Sequence, residues 1–167
     1  MPGPTTIGRG KYGIEFRGIA ELTAQLSRNG ELWKRVQQAA VDGMVENTED
    51  LLGRSMRDAP VDEGTLRASG SAQVYANGRA VARRGFRKVA KQPESPQMVS
   101  RPVQEGGLGD AVVGEVGFNT PYALTQHERL DFNHPKGGKA KYLQDNLQTQ
   151  AERYQDNLSD HLREALR

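Results

Sequence analysis

Two histidines and a glutamate fall close together in the polar stretch of residues 117–147, GFNTPYALTQHERLDFNHPKGGKAKYLQDNL: His127, Glu128 and His134. Imidazole nitrogen and carboxylate oxygen suit Zn²⁺ or another divalent cation. The spacing works against such a site. Neighbours on a helix point about 100° apart, so His127 and Glu128 do not readily face one ion. His134 follows His127 by seven residues, so the H-E-x-x-H spacing of zinc hydrolases is absent. The spacing favours a hydrogen-bonded His–Glu turn that orients a short helix over residues 122–126. No metal and no cofactor is expected.

Asn133-His134-Pro135-Lys136-Gly137-Gly138, followed by Asn146, is similar to the histidine end of the HNH endonucleases. That likeness implies a metal-dependent nuclease with His134 as general base on water and Asn146 orienting it. The chain departs from the pattern where an acidic or histidine neighbour belongs, since Asn133 stands there. The downstream metal-binding histidine has no match, His161 lying too far along the last helix. Gly137-Gly138-Lys139 lacks the G-x-x-x-x-G-K-[ST] spacing of a phosphate loop and reads as a flexible hinge before a helix. Lys139 and Lys141 at that helix start could hold an anion, such as a carboxylate on an adjacent subunit. No G-x-S-x-G setting surrounds a serine. The wider resemblance described below implies a chain that is not an enzyme.

Charge is the other chemical signal. The formal net charge of +2 is too small to imply nucleic acid, but its distribution is uneven. Residues 79–101 hold Arg79, Arg83, Arg84, Arg87, Lys88, Lys91 and Arg101 against one acid, Glu94. Such a segment either tethers the chain to acidic surfaces of other subunits or touches DNA phosphates through salt-dependent contacts. Phe86 is its one aromatic residue, which gives base stacking little support.

These residues must be positioned by a fold whose outline is legible. Residues 1–11 carry two prolines and three glycines with no apolar period, and are expected to form an extended arm. Residues 12–17 alternate as a short strand, and Ile19, Leu22 and Leu26 predict a short helix ending at Asn29-Gly30. Trp33, Val36, Ala40, Met44, Thr48, Leu52 and Met56 recur at three and four, predicting a helix over about 31–58 that is roughly 40 Å long. Gly43 and Gly53 each cost it about 1 kcal/mol, unless they mark close packing. Pro60 ends it.

Residues 71–75 and 111–118 read as strands, with Asn77-Gly78 a turn. Residues 79–110, rich in proline and glycine, read as a long basic loop or projecting hairpin. Asn119-Thr120-Pro121 opens a short helix. Leu143, Leu147, Ala151, Tyr154, Leu158, Leu162 and Ala165 form a second long stripe. The fold class is therefore α+β: two long amphipathic helices on a small, mostly antiparallel sheet of about three or four strands, one domain over 12–167. That sheet is expected to be open to strand addition by a neighbour.

Only 35% of residues are hydrophobic and mean hydropathy is −0.74. This predicts an elongated subunit whose order is partly supplied by neighbours. No apolar run approaches the roughly 20 residues of a membrane span, so no membrane partner is expected. The start of the chain lacks the apolar core of a secretory signal. The absence of cysteine excludes disulfides and fits assembly in a reducing cytoplasm.

Three short blocks carry a wider resemblance. Ala59, Pro60, Gly64, Leu66 and Arg67 form an A-P-x-x-x-G-x-L-R segment. Pro121, Tyr122, Ala123, His127 and Glu128 form a P-Y-A block with a nearby acid, and Lys141-Tyr142-Leu143 opens the last helix. In order and spacing, over about residues 14–166, they resemble the neck or minor-capsid proteins of long-tailed bacteriophages, head–tail connectors of the tail-completion type. The resemblance implies a structural virion protein at the head–tail junction, assembled in the host cytoplasm. It implies a homo-oligomeric ring that meets portal-side, connector and tail proteins near packaged DNA. The candidate interface residues are Trp33, Arg67, Tyr122, His127 and Glu128, with Arg79, Arg83, Arg84, Arg87 and Lys88 as a second contact. The alternatives are a DNA-binding module using the basic 79–101 segment, or the HNH-like nuclease.

Overall fold

In a computed structural model, residues 12–15, 30–61, 64–84 and 112–167 are described. The elements in chain order are strand β1 (Tyr12–Glu15), helix α1 (Gly30–Asp58), helix α2 (Thr65–Ala68), strand β2 (Gly70–Ala76), strand β3 (Arg79–Arg84), strand β4 (Val112–Phe118), helix α3 (Ala123–Glu128) and helix α4 (Gln144–Ala165). The fold is α+β, with both long helices packed on the sheet. The expected arm over 1–11, the helix over 19–29 and the basic segment beyond Arg84 lie outside the described residues.

The four strands are ordered β1-β4-β2-β3, and every pair is antiparallel. Asn77 and Gly78 join β2 to β3 with positive φ values of 51° and 71°. That is the geometry of a two-residue hairpin turn whose twist matches its strands. Residues 79–84 are accordingly a strand, so the segment expected as a long loop or projecting hairpin over 79–110 begins as the second arm of a hairpin with β2. Asn-Gly directly after a strand is itself a hairpin signal, and R-A-V-A-R carries the alternation to match. The β2–β3 register shifts between Val74 and Tyr75: Val74 faces Ala82 and Tyr75 faces Ala80. Val81 is thus an extra, bulged residue on β3, and it is half exposed.

Helix α1 has two working faces. One lies on the sheet, where Met44, Leu52 and Met56 meet β2 and β4. A Cβ on Gly114 of β4 would stand 2.2 Å from the Thr48 hydroxyl, so β4 and α1 approach too closely for any side chain there. The other face takes α4, which runs antiparallel to α1: Asp58 meets Asn146, Asn47 meets Tyr154, and Gly43 meets Leu158 and His161.

This second contact mixes apolar and polar groups. Leu51 and Tyr154 share one core cluster and Met44 and Leu158 the other. Among them, the buried Asn47 amide donates to the Tyr154 carbonyl (2.8 Å) and its oxygen accepts from Asn157 (2.9 Å). Asp50 accepts from Arg54 (2.7 Å), the Tyr154 hydroxyl (2.8 Å) and Arg153. Burial pushes the Asp50 carboxyl up, but those donors outweigh it and hold it below the usual range. Burial and the Asp50 hydrogen bond together push the Tyr154 phenol up.

The two helix glycines separate cleanly. Gly43 faces α4, where a Cβ would sit 3.1 Å from both Leu158 and His161. Gly53 faces open space. Replacing Gly53 with alanine is therefore expected to raise stability by about 0.5–1 kcal/mol through lower unfolded-state entropy. Urea unfolding of Gly53→Ala checks this, and a lower midpoint would contradict it.

Candidate functional site

The three sequence blocks converge on the C-terminal end of α1. A helix ends with carbonyls that lack intrahelical partners, and here three in succession are satisfied from elsewhere. Arg67 donates from Nη2 to the Arg57 carbonyl (2.7 Å) and from Nε to the Ala59 carbonyl (2.9 Å). Between them, the Lys139 backbone N–H donates to the Asp58 carbonyl (2.9 Å). The turn at Gly64, with φ of 78°, and the short α2 bring the arginine back over the helix end.

The segment before α4 lies against the same place. Gly137 accepts from the Val61 N–H (3.0 Å), and Gly137 and Gly138 have φ of 95° and 96°. A Cβ on Gly138 would stand 2.5–2.6 Å from Pro60 and the Ala59 carbonyl. The Gly-Gly pair is therefore a fixed backbone contact, which corrects the reading of it as a hinge. Lys139 pairs with Asp145 (3.0 Å) and Asp58 (3.7 Å), and Lys141 with Glu128. The two lysines serve carboxylates of their own chain.

The second block joins the third through Tyr142. Its ring is edge-on to His127 (4.9 Å between centroids) and to Phe118 (5.0 Å), and its hydroxyl donates to the Ala123 carbonyl (3.2 Å). Lys141, with φ of 55°, donates from its N–H to the His127 carbonyl (2.8 Å). His127 is only 3% exposed. Its Nδ1 lies 2.8 Å from Glu128, and its Nε2 lies 3.4 Å from the Gln144 N–H. A neutral ring protonated at Nδ1 serves both: it donates to the carboxylate and accepts from the backbone. Burial pushes the His127 pKa below its ordinary value, against the opposing pull of Glu128. The expected His–Glu contact is present within α3, and the His127 carbonyl and Nε2, with the Glu128–Lys141 pair, anchor α3 to the start of α4.

The remaining sequence candidates are scattered. Trp33 is half-buried against the cluster of Ala40, Met44, Val74 and Leu158. Arg79, Arg83 and Arg84 are exposed on β3, and Arg84 reaches Glu49 of α1 at 3.7 Å. Arg87, Lys88, Lys91 and Arg101 lie outside the described residues. Tyr122 is exposed at the start of α3. The nuclease pair is not assembled as that likeness implies: the Asn146 amide donates to Asp58 (2.9 Å) and the Tyr142 carbonyl (2.6 Å). His134 Nε2 is buried without a hydrogen-bond partner among the described residues. Among those residues, no three His, Asp or Glu side chains gather as metal ligands, and no helix is long and apolar enough to cross a membrane.

Sequence reasoning passed over Asp58, Asn47 and the exposed Leu124 and Leu130. Nothing in a sequence marks a helical Asn as buried. The two leucines did carry a signal, being apolar residues in a polar stretch with no long helix to house them.

Two measurements probe this junction. Gly138→Ala combines a strained φ with a backbone clash and is expected to cost about 2–5 kcal/mol; an unchanged urea midpoint would refute the fixed contact. The His127 titration gives the second. The native ring resists protonation while the unfolded one takes a proton near about 6.5, so below that pH the unfolded state binds more protons. This contribution is complete above that value and is lost as pH falls through the lowered native pKa. The wild type should lose more stability between pH 7.5 and 5.5 than His127→Gln, and equal losses would contradict the assignment.

No family model matches this chain, and neither does any curated protein or any solved structure.

Proposed function

We propose that this chain is a structural protein of a tailed-bacteriophage virion, a neck or tail-completion subunit at the head–tail junction. In this reading copies assemble into a ring in the host cytoplasm, and the ring joins portal-side and connector proteins to the tail without catalysing a reaction. The observation that carries the reading is the mutual contact of the three resembling blocks. Arg67 and Ala59 of the first, Ala123 and His127 of the second, and Lys141 and Tyr142 of the third meet around one helix end. Motifs that hold one another are what a scaffold subunit requires. The α+β fold agrees with the resemblance as well.

One observation favours a second reading. Arg79 and Arg83 stand exposed on a sheet edge with no ion pair among the described residues. Free cations on an edge strand suit phosphate contacts as well as acidic protein surfaces.

The test is genetic and microscopic. Phage lacking this gene should accumulate DNA-filled heads and separate tails, and gold-labelled antibody should mark the head–tail junction of wild-type particles. Joined, infectious particles in the deletion would reject the proposal. Salt-dependent binding of duplex DNA by the purified chain, without any virion labelling, would move the assignment to a DNA-binding module.

A further inference from the structure

Helix α3 meets the start of α4 through contacts that converge on His127 and Lys141. The His127 carbonyl accepts from the Lys141 N–H (2.8 Å), and the Glu128 carboxylate pairs with the Lys141 ammonium. His127 Nε2 faces the Gln144 N–H (3.4 Å), and the Ala123 carbonyl accepts from the Tyr142 hydroxyl (3.2 Å). Lys141 makes two of these contacts while its backbone stands at a φ of 55°. A residue with a Cβ persists in that region only where its surroundings hold it there, and such positions gather at switch points.

The elements beyond this junction are fastened without α3. Gly137 is tied to Val61, and the Lys139 N–H to the Asp58 carbonyl. Helix α4 is tied to α1 by Asn146 on Asp58, by Asn47 on the Tyr154 carbonyl, and by Tyr154 on Asp50. The chain on both sides of residues 140–143 therefore keeps its place whether or not α3 lies against it.

The His127 ring has little room for a second proton. Protonated at Nδ1 alone, it donates to Glu128 and accepts from the Gln144 N–H. An added proton turns Nε2 into a donor and sets it against another donor. The charged groups that face the ring are Glu128 of its own helix, Lys141 of the segment before α4 and Asp145 in the first turn of α4, and the Tyr142 ring stands edge-on to it. Burial disfavours the charged ring most, Glu128 and Asp145 pull the other way, Lys141 adds to the burial effect, and the balance holds the pKa below its ordinary value.

We infer that the junction of α3 with residues 141–144 is an acid-released latch: protonation of His127 frees α3 while α1 and α4 stay in register. Opening is local, in the sense that one small unit detaches from a folded remainder. A released ring takes its proton near about 6.5, and the latched ring only below its lowered value. Release thus binds a proton. It becomes easier as pH falls below about 6.5, by up to roughly tenfold per pH unit, until the latched ring itself titrates. Above that pH release is independent of pH. The latch operates whatever the chain joins, so it stands apart from the proposed virion role.

Residue-resolved amide hydrogen exchange of the full chain between pH 7.5 and 5.5, corrected for the intrinsic pH dependence of exchange, separates release from general unfolding. In the wild type the Lys141 amide should lose up to roughly tenfold of its protection per pH unit below about 6.5. The amides of α4 beyond Asn146 should keep theirs. In His127→Gln, whose side chain does not titrate, protection of Lys141 should stay flat across the same range. His127→Asn takes its place if circular dichroism shows the Gln variant misfolded. Three results overturn the latch: a Lys141 amide in the wild type whose protection ignores pH, a parallel loss along α4, which means cooperative unfolding, or the same fall in the non-titrating variant. The first two need no variant at all.

Discussion

The end of α1 is where this molecule is held together. Three consecutive carbonyls stand at the end of a 29-residue helix, and each finds a donor outside it, two from the nearby Arg67 and one from the distant Lys139 backbone. Pro60 cannot continue the helix, and the carbonyl of the fully buried Ala59 would otherwise lack both a helical partner and water. Arg67 solves two of them with one planar group, a task a lysine's single ammonium performs poorly. Lys139 solves the third with its backbone, which fixes the chain entering α4. The path of α4 along α1 then follows from that anchor, with Asn146 on Asp58 as the first rung.

From this follows a division of labour on α1. Its sheet side relies on apolar burial, which is strong but indifferent to small slides. Its α4 side adds Asn47, Asp50 and Glu46, whose partners Tyr154, Asn157, Arg153 and His161 are reached only in one register. Polar groups inside a contact tend to specify geometry more than they stabilise it.

Much of this was legible in the residues. The 3.6-residue stripe of Val36, Ala40, Met44 and Leu52, and that of Leu147, Tyr154 and Leu158, gave both long helices because periodicity records burial directly. Strands β2 and β4 and the Asn77-Gly78 turn were legible for the same reason. Strand β3 was harder to read, because arginine at three of its six positions masks the hairpin signal of Asn77-Gly78 and the alternation that follows it. An edge strand with one side open to water needs few apolar residues. At the site, the His127–Glu128 contact was readable from adjacency. The role of Gly138 was not, since it depends on the approach of Pro60 and Ala59 from nearly eighty residues earlier, nor was that of Arg67, which depends on how α2 turns back over the end of α1. The exposure of Leu130 is a tertiary property, hinted at in the sequence only by an apolar residue standing in a polar stretch.

Strand order has a consequence for biosynthesis. Among the described residues β1 pairs only with β4, Tyr12 opposite Val116, so this strand cannot find that partner until about a hundred further residues are made. At roughly 5–20 residues per second that is about 5–20 s. Through that interval the nascent chain presents an unmated strand to whatever else is being translated nearby, its own sister copies on a polysome included.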